Sequence, residues 1–242
     1  MSTAAVCAGP MDVYWLEQSA ADVPAHDDWL SGNEARVLGG MRFAKRRADW
    51  RLGRWTAKRA LAVYLNVADD PQSLTAIEIT TEPSGAPQAI FENKPAALTI
   101  SLSHRAGRAI CAIAPSGAVL GCDLEMIEPR SDAFAADYFT AEEQALVARS
   151  PAADRFRLLA LLWSAKESAL KALRVGLRLD TRNVAVSLAG ALPRDDEDGW
   201  HPLEARYDDK TFHGWWHNQG NFLRTLVGAP APVAPIPLKI WG

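Results

Sequence analysis

The chain has 242 residues, 48% of them hydrophobic, and a formal net charge of −3. It is long enough for one large domain or two small ones with buried cores, and its weak negative charge argues against binding of polyanions over the whole surface. The three cysteines, Cys7, Cys111 and Cys122, lack CxxC spacing, which argues against a disulfide framework and a zinc site and favours a reducing, cytoplasmic compartment. We find neither a signal-like N-terminus nor an apolar run long enough for a membrane span.

The first half of the chain is predicted to combine helix with antiparallel strands. A strand is expected at residues 11–16, followed by a long helix from about 33 to 65 that a proline-containing segment ends. Turns rich in proline and glycine then separate four further strands. These strands are predicted at residues 74–80, 98–102, 109–114 and 118–127.

The second half repeats this mixture of elements. A helical block is expected from 137 to about 173, broken at Ser150 and Pro151, where serine can cap a helix and proline can take its first position. Strands are predicted at residues 184–188, 203–207, 212–216 and 222–227, and the proline-rich tail 228–237 is expected to be irregular. The chain is therefore predicted to be α+β with two similar subdomains, 1–117 and 118–242, although we recognise no repeat of residue identity.

The strand at 119–127 carries two carboxylates on one face. Because side chains alternate along a strand, Asp123 and Glu125 share a side with Gly121, and they are separated by roughly 6.6 to 7 Å along the axis. Such a pair can converge on a hard cation that prefers oxygen ligands, and Gly121 is expected to leave room for a ligand. The same pattern also fits an ordinary solvated strand face.

A helix about forty residues later carries a third carboxylate between lysines. Its flanks are too apolar for a surface helix, yet Lys166, Glu167 and Lys171 interrupt it. Glu167 and Lys171 could form an i,i+4 ion pair worth only about 0.2–0.5 kcal/mol. Alternatively, Glu167 could complete a magnesium site or act as a general base, with Lys166 and Lys171 as phosphate donors.

A third feature is a stripe of cations on the long first helix. Arg47, Arg51, Arg54 and Lys58 fall at positions i, i+4, i+7 and i+11, so they share one helix face. The stripe fits a solvated face, a surface that binds nucleic acid, or a site for an anionic nucleotide.

Ser103 and His104 end a predicted strand and form the fourth feature. Their side chains could bind a phosphate, although a histidine at a strand end is more often structural. A serine nucleophile is disfavoured, because the segment has no Gly-x-Ser-x-Gly elbow.

Six segments in this order resemble the 4′-phosphopantetheinyl transferases of the surfactin-synthetase-activating type. The Gly-x-Asp-x-Glu strand and the Trp-x-x-Lys-Glu-x-x-x-Lys helix make the resemblance specific. The segments are 43–61, 85–87, 101–104, 121–125, 139–143 and 163–171.

The resemblance implies a monomer of two pseudo-two-fold related subdomains, each a small antiparallel sheet packed on helices, with the active site in the cleft between them. The implied reaction is the Mg²⁺-dependent transfer of the 4′-phosphopantetheine group from coenzyme A to a serine of an acyl or peptidyl carrier protein, which releases adenosine 3′,5′-bisphosphate. The alternatives from other classes are a Mg²⁺-dependent phosphohydrolase or nuclease and a nucleic-acid-binding module that uses the basic helix. Neither nucleic acid nor membrane is expected as a partner of the transferase.

The resemblance also implies a role for each candidate residue. Asp123, Glu125 and Glu167 are expected to bind Mg²⁺, and Glu167 or a water on the metal is expected to take the serine proton. Catalytic roles are implied for Glu167, Lys171 and His104, and contacts to coenzyme A for Arg47, Arg51, Arg54, Ser103, His104, Lys166 and Lys171.

Two further expectations concern the substrates. The family often has Gly-Lys-Pro where this chain has Ala86 between Gly85 and Pro87, so one phosphate-binding lysine is missing. Residues 139–146 are a candidate for part of the surface that recognises the carrier, or else a plain helix-capping segment.

Overall fold

The computed structural model describes residues 9–175, 179–190, 192 and 199–240, so Cys7 lies outside the described residues. It confirms the predicted α+β class. The helices are α1 Gly32–Gly39, α2 Ala44–Leu65, α3 Pro71–Leu74, α4 Asp132–Tyr138, α5 Ala141–Arg149 and α6 Arg155–Ala172. None of the helices in the described ranges is both long and apolar enough to cross a membrane.

Twelve strands are present in the described residues, and they form three sheets. The strands are β1 Tyr14–Ser19, β2 Ile77–Thr81, β3 Pro87–Phe91, β4 Lys94–Pro95, β5 Leu98–Arg105, β6 Arg108–Pro115, β7 Val119–Met126, β8 Val184–Leu188, β9 His201–Tyr207, β10 Lys210–Gln219, β11 Phe222–Ala229 and β12 Ile236–Pro237. The first sheet has the order β12-β1-β6-β5, the second β7-β11-β10-β9-β8, and the third β2-β3-β4. Every pairing between neighbours is antiparallel except that of β1 with β12.

The C-terminal segment crosses back to the first half of the chain. Tyr14 pairs with Ile236 in parallel, although we predicted residues 228–237 to be irregular. Leu238 and Ile240 then pack against the core beneath α2. Strand β12 therefore belongs to the first sheet, although the predicted subdomain boundaries place residues 118–242 in the second subdomain.

Both predicted helical blocks are divided further than expected. The block 33–65 forms two helices, α1 and α2. The helix is interrupted after Gly39, because glycine is a poor helix former. The block 137–173 contributes to three helices. Ser150 is the C-cap of α5, and α6 begins only at Arg155, so the predicted helix start at Pro151 is wrong.

In the first half, a buried ion pair joins the two main helices to a strand. Glu34 closes a capping box with Ser31 at the start of α1, and its carboxylate lies 2.5 Å from the Lys58 ammonium of α2. The same carboxylate accepts a 3.0 Å hydrogen bond from the backbone N–H of Ile79 in β2. Lys58 also donates to the carbonyl of Trp29, and its side chain has no contact with solvent.

The second half contains the same arrangement. Glu143 closes a capping box with Thr140 at the start of α5, and it lies 2.8 Å from the Lys166 ammonium of α6. It also accepts a 2.8 Å hydrogen bond from the backbone N–H of Val186 in β8. Lys166 completes its bonding at the carbonyl of Thr181.

A short sequence repeat accompanies this structural repeat. Residues 55–58 read Trp-Thr-Ala-Lys, and residues 163–166 read Trp-Ser-Ala-Lys. Each segment ends with the buried lysine of its half. A match of four residues is too short to indicate a repeat from the sequence alone. The repeat supports the similarity of the two halves, which the element order had suggested.

Gly121 allows helix α6 to lie directly on strand β7. A Cβ atom at this position would lie 1.8 Å from the carbonyl oxygen of Ser168 and 2.8 Å from the amide nitrogen of Ala172. The expectation that Gly121 leaves room for a ligand is therefore wrong, because the helix backbone fills that room.

Substitution of Gly121 by alanine is expected to destabilise the protein by about 3 kcal/mol or more, because the helix must move away from the strand. Gly53→Ala in α2 is the matched control, since a Cβ atom added there would meet no other atom within 4 Å. That control is expected to gain about 0.5–1 kcal/mol from helix propensity. Urea unfolding measures both changes, and equal stability of Gly121→Ala and the wild type would contradict the close helix-to-strand contact.

Candidate active site

The first and second sheets meet where β5 runs beside β7. The hydroxyl oxygen of Ser101 accepts a 2.9 Å hydrogen bond from the backbone N–H of Cys122. Two residues further along β5, the Ser103 hydroxyl donates to Oδ1 of Asp123 at 2.7 Å. Asp123 therefore lies at the junction of the two halves, held in part by a residue of each.

Asp123 is 5% exposed and is held by three side chains. Besides Ser103, the Lys171 ammonium lies 2.7 Å from Oδ1, and the Ser164 hydroxyl donates to Oδ2 at 2.8 Å. Lys171 also donates to the carbonyl of Cys122 at 3.0 Å. Lys171 thus pairs with Asp123 of β7, and not with Glu167 as the i,i+4 spacing had suggested.

The charges around Lys171 favour its protonated form. Burial by itself lowers the pKa of the ammonium, but Asp123, Cys122 and Glu167 outweigh burial, so the pKa lies above its ordinary value. Lys171 is therefore cationic at neutral pH and available to bind an anion.

Glu125 is bound by arginines from two different segments. Its Oε2 lies 3.0 Å from Nη2 of Arg130 and 3.6 Å from Nε of Arg105. Both arginines also contact Glu128. The pKa of Glu125 lies above its ordinary value, first because of burial and then because of Asp123, although the two arginines oppose the shift.

Glu167 has the most perturbed carboxyl group of the site. Burial and then the charge of Asp123 raise its pKa to about 7, with Lys171 opposing the rise and Glu125 adding to it. Among the described residues, none forms a hydrogen bond or an ion pair with the Glu167 side chain. Because the three carboxylates repel one another, the site carries negative charge that a cation would offset.

The carboxylates fit a hard divalent cation by their chemistry. Asp123, Glu125 and Glu167 supply the oxygen atoms that Mg²⁺ prefers, and their mutual repulsion favours a bound cation. They do not form a closed coordination shell: no group of three potential ligands in the described part of the chain is close enough to hold a metal. Instead, Arg130 donates a hydrogen bond to the Glu125 carboxylate, and Lys171 donates one to the Asp123 carboxylate.

His104 lies at the end of β5 and is exposed. The pKa of His104 lies below its ordinary value, chiefly because neighbouring protein atoms displace water from part of the ring. Asp49 opposes this shift, whereas Lys171 and Lys45 favour the neutral form. His104 is therefore within electrostatic reach of Lys171 and of the first turns of α2.

The predicted basic stripe of α2 is mostly bound within its own half. Arg47 donates to the carbonyl of Leu38 at 2.5 Å, and Arg51 pairs with Asp27 at 2.7 Å. Arg54 lies 3.8 Å from Glu34, and its guanidinium stacks over Trp50. Lys58, the fourth member of the stripe, is fully buried, so the stripe is not an open cationic face.

Lys166 is separate from the site. It is fully buried, and its ammonium lies among Glu143 and the carbonyls of Thr181 and Val184. The prediction that Lys166 is a phosphate donor is therefore wrong, because the side chain is the buried cation of the second half.

Two cavities flank the carboxylates. The first, of about 550 Å³, lies between the turn at 84–87 and β5, and Lys171 and Arg174 line it. The second, of about 560 Å³, is lined by Glu125 and Arg130. Lys171, which pairs with Asp123, thus borders the first cavity, and Glu125 borders the second.

The segment 139–146, a candidate for carrier recognition, is only partly at the surface. Phe139 is fully buried, whereas Leu146 is 36% exposed. Thr140 and Glu143 form the capping box of α5, as the alternative prediction stated. Its role in carrier recognition stays a prediction.

Sequence reasoning missed several residues that surround the carboxylates. Arg105 and Arg130 bind Glu125, and the hydroxyls of Ser164 and Thr225 lie behind Asp123. Ser164 lies within the Trp-x-x-Lys-Glu segment, three residues before Glu167, and this was the available signal. Thr225 is more than fifty residues from the helix it contacts, and no local pattern identifies it.

A family model of the 4′-phosphopantetheinyl transferase superfamily matches residues 119–219, which include β7 and α6. The chain is similar to the holo-(acyl-carrier-protein) synthase of Bacillus anthracis in complex with CoA (3′,5′-ADP), with 19% identity over 44% of this chain and 99% of that one and a TM-score of 0.36. It is also similar to the Helicobacter pylori holo-[acyl-carrier-protein] synthase in complex with coenzyme A, with 20% identity over 43% of this chain and 99% of that one and a TM-score of 0.30. A third similar structure is the Thermotoga maritima holo-[acyl-carrier-protein] synthase, with 18% identity over 50% of this chain and 79% of that one and a TM-score of 0.33. No curated protein matches the chain.

Proposed function

We propose that this protein transfers the 4′-phosphopantetheine group from coenzyme A to a serine hydroxyl of a carrier protein and releases adenosine 3′,5′-bisphosphate. The observation that carries the proposal is the meeting of Asp123, Glu125, Glu167 and Lys171 at the junction of the two sheets. All four residues lie in the segment that matches the superfamily. Three carboxylates beside a partly exposed cation suit a reaction in which phosphoryl charge must be bound and a hydroxyl deprotonated.

In this proposal, Asp123, Glu125 and Glu167 hold Mg²⁺, which supplies charge stabilisation for the diphosphate of coenzyme A. Glu167 accepts the proton of the carrier serine. In the metal-free protein, burial and Asp123 raise the pKa of Glu167 to about 7, which makes its carboxylate a better proton acceptor than an ordinary glutamate. A bound cation would offset part of this rise. Lys171 stabilises the departing phosphate with a charge that its surroundings maintain.

The cavity beside Lys171 is the proposed place of coenzyme A, and the cavity beside Glu125 is the proposed entry of the serine. His104 remains a candidate for phosphate contact, because it is exposed and near Lys171. Ser103 contributes by holding Asp123. Arg47, Arg51 and Arg54 remain candidates for the 3′-phosphate, and each must exchange a contact within the chain to bind it.

Ala86 offers a gain-of-function prediction. It lines the cavity beside Lys171, where the resembling family often has lysine. Ala86→Lys is expected to lower KM for coenzyme A about three- to tenfold, since a charge-assisted contact at a partly exposed site is worth about 1 kcal/mol. Ala86→Met has similar length without the charge and is expected to leave KM unchanged in steady-state assays. Equal KM values for the two variants would remove this cavity from coenzyme A binding.

Mass spectrometry of an apo carrier protein tests the proposed reaction. After incubation with this protein, coenzyme A and Mg²⁺, the carrier is expected to gain one phosphopantetheine group, and EDTA is expected to abolish the gain. The proposal fails if carriers of the fatty-acid, polyketide and nonribosomal-peptide types all remain unmodified. Hydrolysis of coenzyme A without a carrier would instead favour the phosphohydrolase.

A further inference from the structure

A cluster of buried hydroxyl groups lies behind Asp123. Asp123 and Thr225 are directly opposite each other on β7 and β11, so their side chains share the sheet face that α6 covers. Ser164 and Ser168 lie one turn apart on α6. Ser164, Ser168 and Thr225 are all fully buried, although most serine and threonine side chains in proteins are exposed.

The hydroxyls form a continuous chain that ends at the carboxylate. Ser164 Oγ lies 2.8 Å from Asp123 Oδ2 and 2.9 Å from Thr225 Oγ1. Thr225 Oγ1 lies 2.7 Å from Ser168 Oγ. No other described residue contributes a side chain to these contacts.

Counting protons fixes the direction of the hydrogen bond that reaches Asp123. An ionised carboxylate only accepts hydrogen bonds, and each hydroxyl has one proton, so Ser164 gives its proton to Asp123. The Ser164 hydroxyl can then only accept from Thr225, whose Oγ1 also lies 2.9 Å from the carbonyl oxygen of Ser164. Between Thr225 and Ser168 either hydroxyl can donate, and the Ser168 hydroxyl also lies 3.2 Å from the carbonyl oxygen of Thr225. The Ser164 hydroxyl is therefore held with its proton on Asp123, whichever way Thr225 and Ser168 share their own protons.

The first half of the chain shows that the hydroxyl alone does not require this geometry. Thr56 occupies the position of Ser164 in the Trp-Thr-Ala-Lys segment and is also fully buried. Its hydroxyl donates to the carbonyl of Leu52 one turn earlier in the same helix, at 2.8 Å. The hydroxyl reaches across to a carboxylate only in the half that contains the candidate site.

We propose that Ser164, supported by Thr225 and Ser168, is a positioning residue that fixes the rotamer of Asp123 for binding a divalent cation. The Ser164 hydroxyl holds Oδ2 of Asp123 against α6. Oδ1 of Asp123 is then directed to Lys171 and Ser103 at the junction of the sheets. A ligand fixed in advance loses less conformational freedom when the cation binds, so residues behind a ligand tune affinity. This inference rests on the proposed use of a cation by the site.

Binding of Mn²⁺, measured by the electron paramagnetic resonance signal of the free ion in the presence of coenzyme A, tests this role apart from activity. Ser164→Ala is expected to weaken Mn²⁺ binding about 10- to 100-fold, as for other residues that orient metal ligands. Ser164→Thr retains the hydroxyl and is expected to bind Mn²⁺ like the wild type. Ser168→Ala is expected to have a smaller effect, because Ser168 reaches Asp123 only through Thr225.

Thr56→Ala is the matched control for loss of a buried hydroxyl. It is expected to lower stability without changing Mn²⁺ affinity, because the Thr56 hydroxyl bonds only within its own helix. If Ser164→Ala fails to fold, Thr225→Val is measured instead, and wild-type affinity in that variant overturns the proposal. Wild-type affinity in folded Ser164→Ala, or no Mn²⁺ binding by the unmodified protein, also overturns it.

The two proposals can fail separately. If no carrier protein is modified but Ser164→Ala still weakens Mn²⁺ binding as expected, the transferase reaction is wrong and the positioning role stands. If carriers are modified and Mn²⁺ affinity is insensitive to Ser164, the reaction stands and the positioning role is wrong.

Discussion

Substitution of Glu167 by glutamine is expected to abolish most of the transferase activity and, at the same time, to stabilise the metal-free protein. Loss of a general base typically costs about 10²- to 10⁴-fold in rate. The stability gain is expected because Glu167 has no partner among the described residues, while burial, Asp123 and Glu125 all disfavour its charge. Glutamine has nearly the same shape and removes that charge.

The stability gain should depend on pH in a defined direction. The pKa of Glu167 is raised in the folded protein to about 7 from an ordinary value of 4.5, so the folded state holds this proton more tightly than the unfolded chain. Its contribution to stability is therefore fully present below pH 4.5 and is lost as pH rises through 7. Glu167→Gln should match the wild type near pH 4.5 and exceed it by at least about 1 kcal/mol at pH 8.

Urea unfolding with EDTA at several pH values measures this difference. Glu167→Asp retains the charge and serves as the control, with no comparable gain expected at pH 8. A destabilised Glu167→Gln protein at pH 8 would mean that the carboxylate is favourably bound in the metal-free state. Full activity of the variant would remove Glu167 from the reaction.

The strand part of the site could be predicted from the sequence, because it depends on local periodicity. Alternation placed Asp123 and Glu125 on one face of a strand, and β7 spans both. Alternation could not reveal that α6 covers this face, because the contact joins segments about forty residues apart. Alternation alone therefore indicates room for a ligand at Gly121, whereas its missing side chain accommodates the α6 backbone.

The two lysines of α6 were separable in principle. Positions 166 and 171 differ by five residues, which places them about 140° apart around a helix of 3.6 residues per turn. Lys166 and Lys171 therefore could not both face the same phosphate. Which of them faces the core could not be predicted, since that depends on the position of Glu143 in the folded chain.

The basic stripe shows a different limit of sequence reasoning. The spacing of Arg47, Arg51 and Lys58 correctly indicates a shared face of α2, but charge on a helix face does not reveal the charge it meets. Asp27 and Glu34, from the preceding loop and α1, bind two of these cations. The stripe therefore has an explanation within the fold, which weakens the nucleic-acid alternative.

The assignment of Lys166 leads to the largest expected effect on stability. Lys166→Met leaves the Glu143 carboxylate buried with two backbone N–H donors but without its cation. Removal of one partner of a buried ion pair typically costs about 3–5 kcal/mol. Lys58→Met removes the equivalent cation of the first half and is expected to cost less, because Arg54 remains 3.8 Å from the Glu34 carboxylate.

A double substitution separates the charge from the packing. Lys166→Met combined with Glu143→Gln removes both charges, while the glutamine oxygen can still accept a backbone hydrogen bond. This double variant is expected to recover part of the lost stability, since the single variant suffers mainly from its uncompensated carboxylate. Unfolding midpoints in urea for the two single variants and the double variant provide the coupling energy.

Lys171→Met gives the contrasting result that distinguishes a site lysine from a structural one. Its ammonium contacts Asp123 at a side chain that is 28% exposed, and Ser103 and Ser164 still bind the carboxylate after the substitution. We expect a smaller loss of stability than for Lys166→Met and a much larger loss of kcat in the folded protein. If Lys166→Met instead retained wild-type stability and raised KM for coenzyme A, Lys166 would be a phosphate ligand after all.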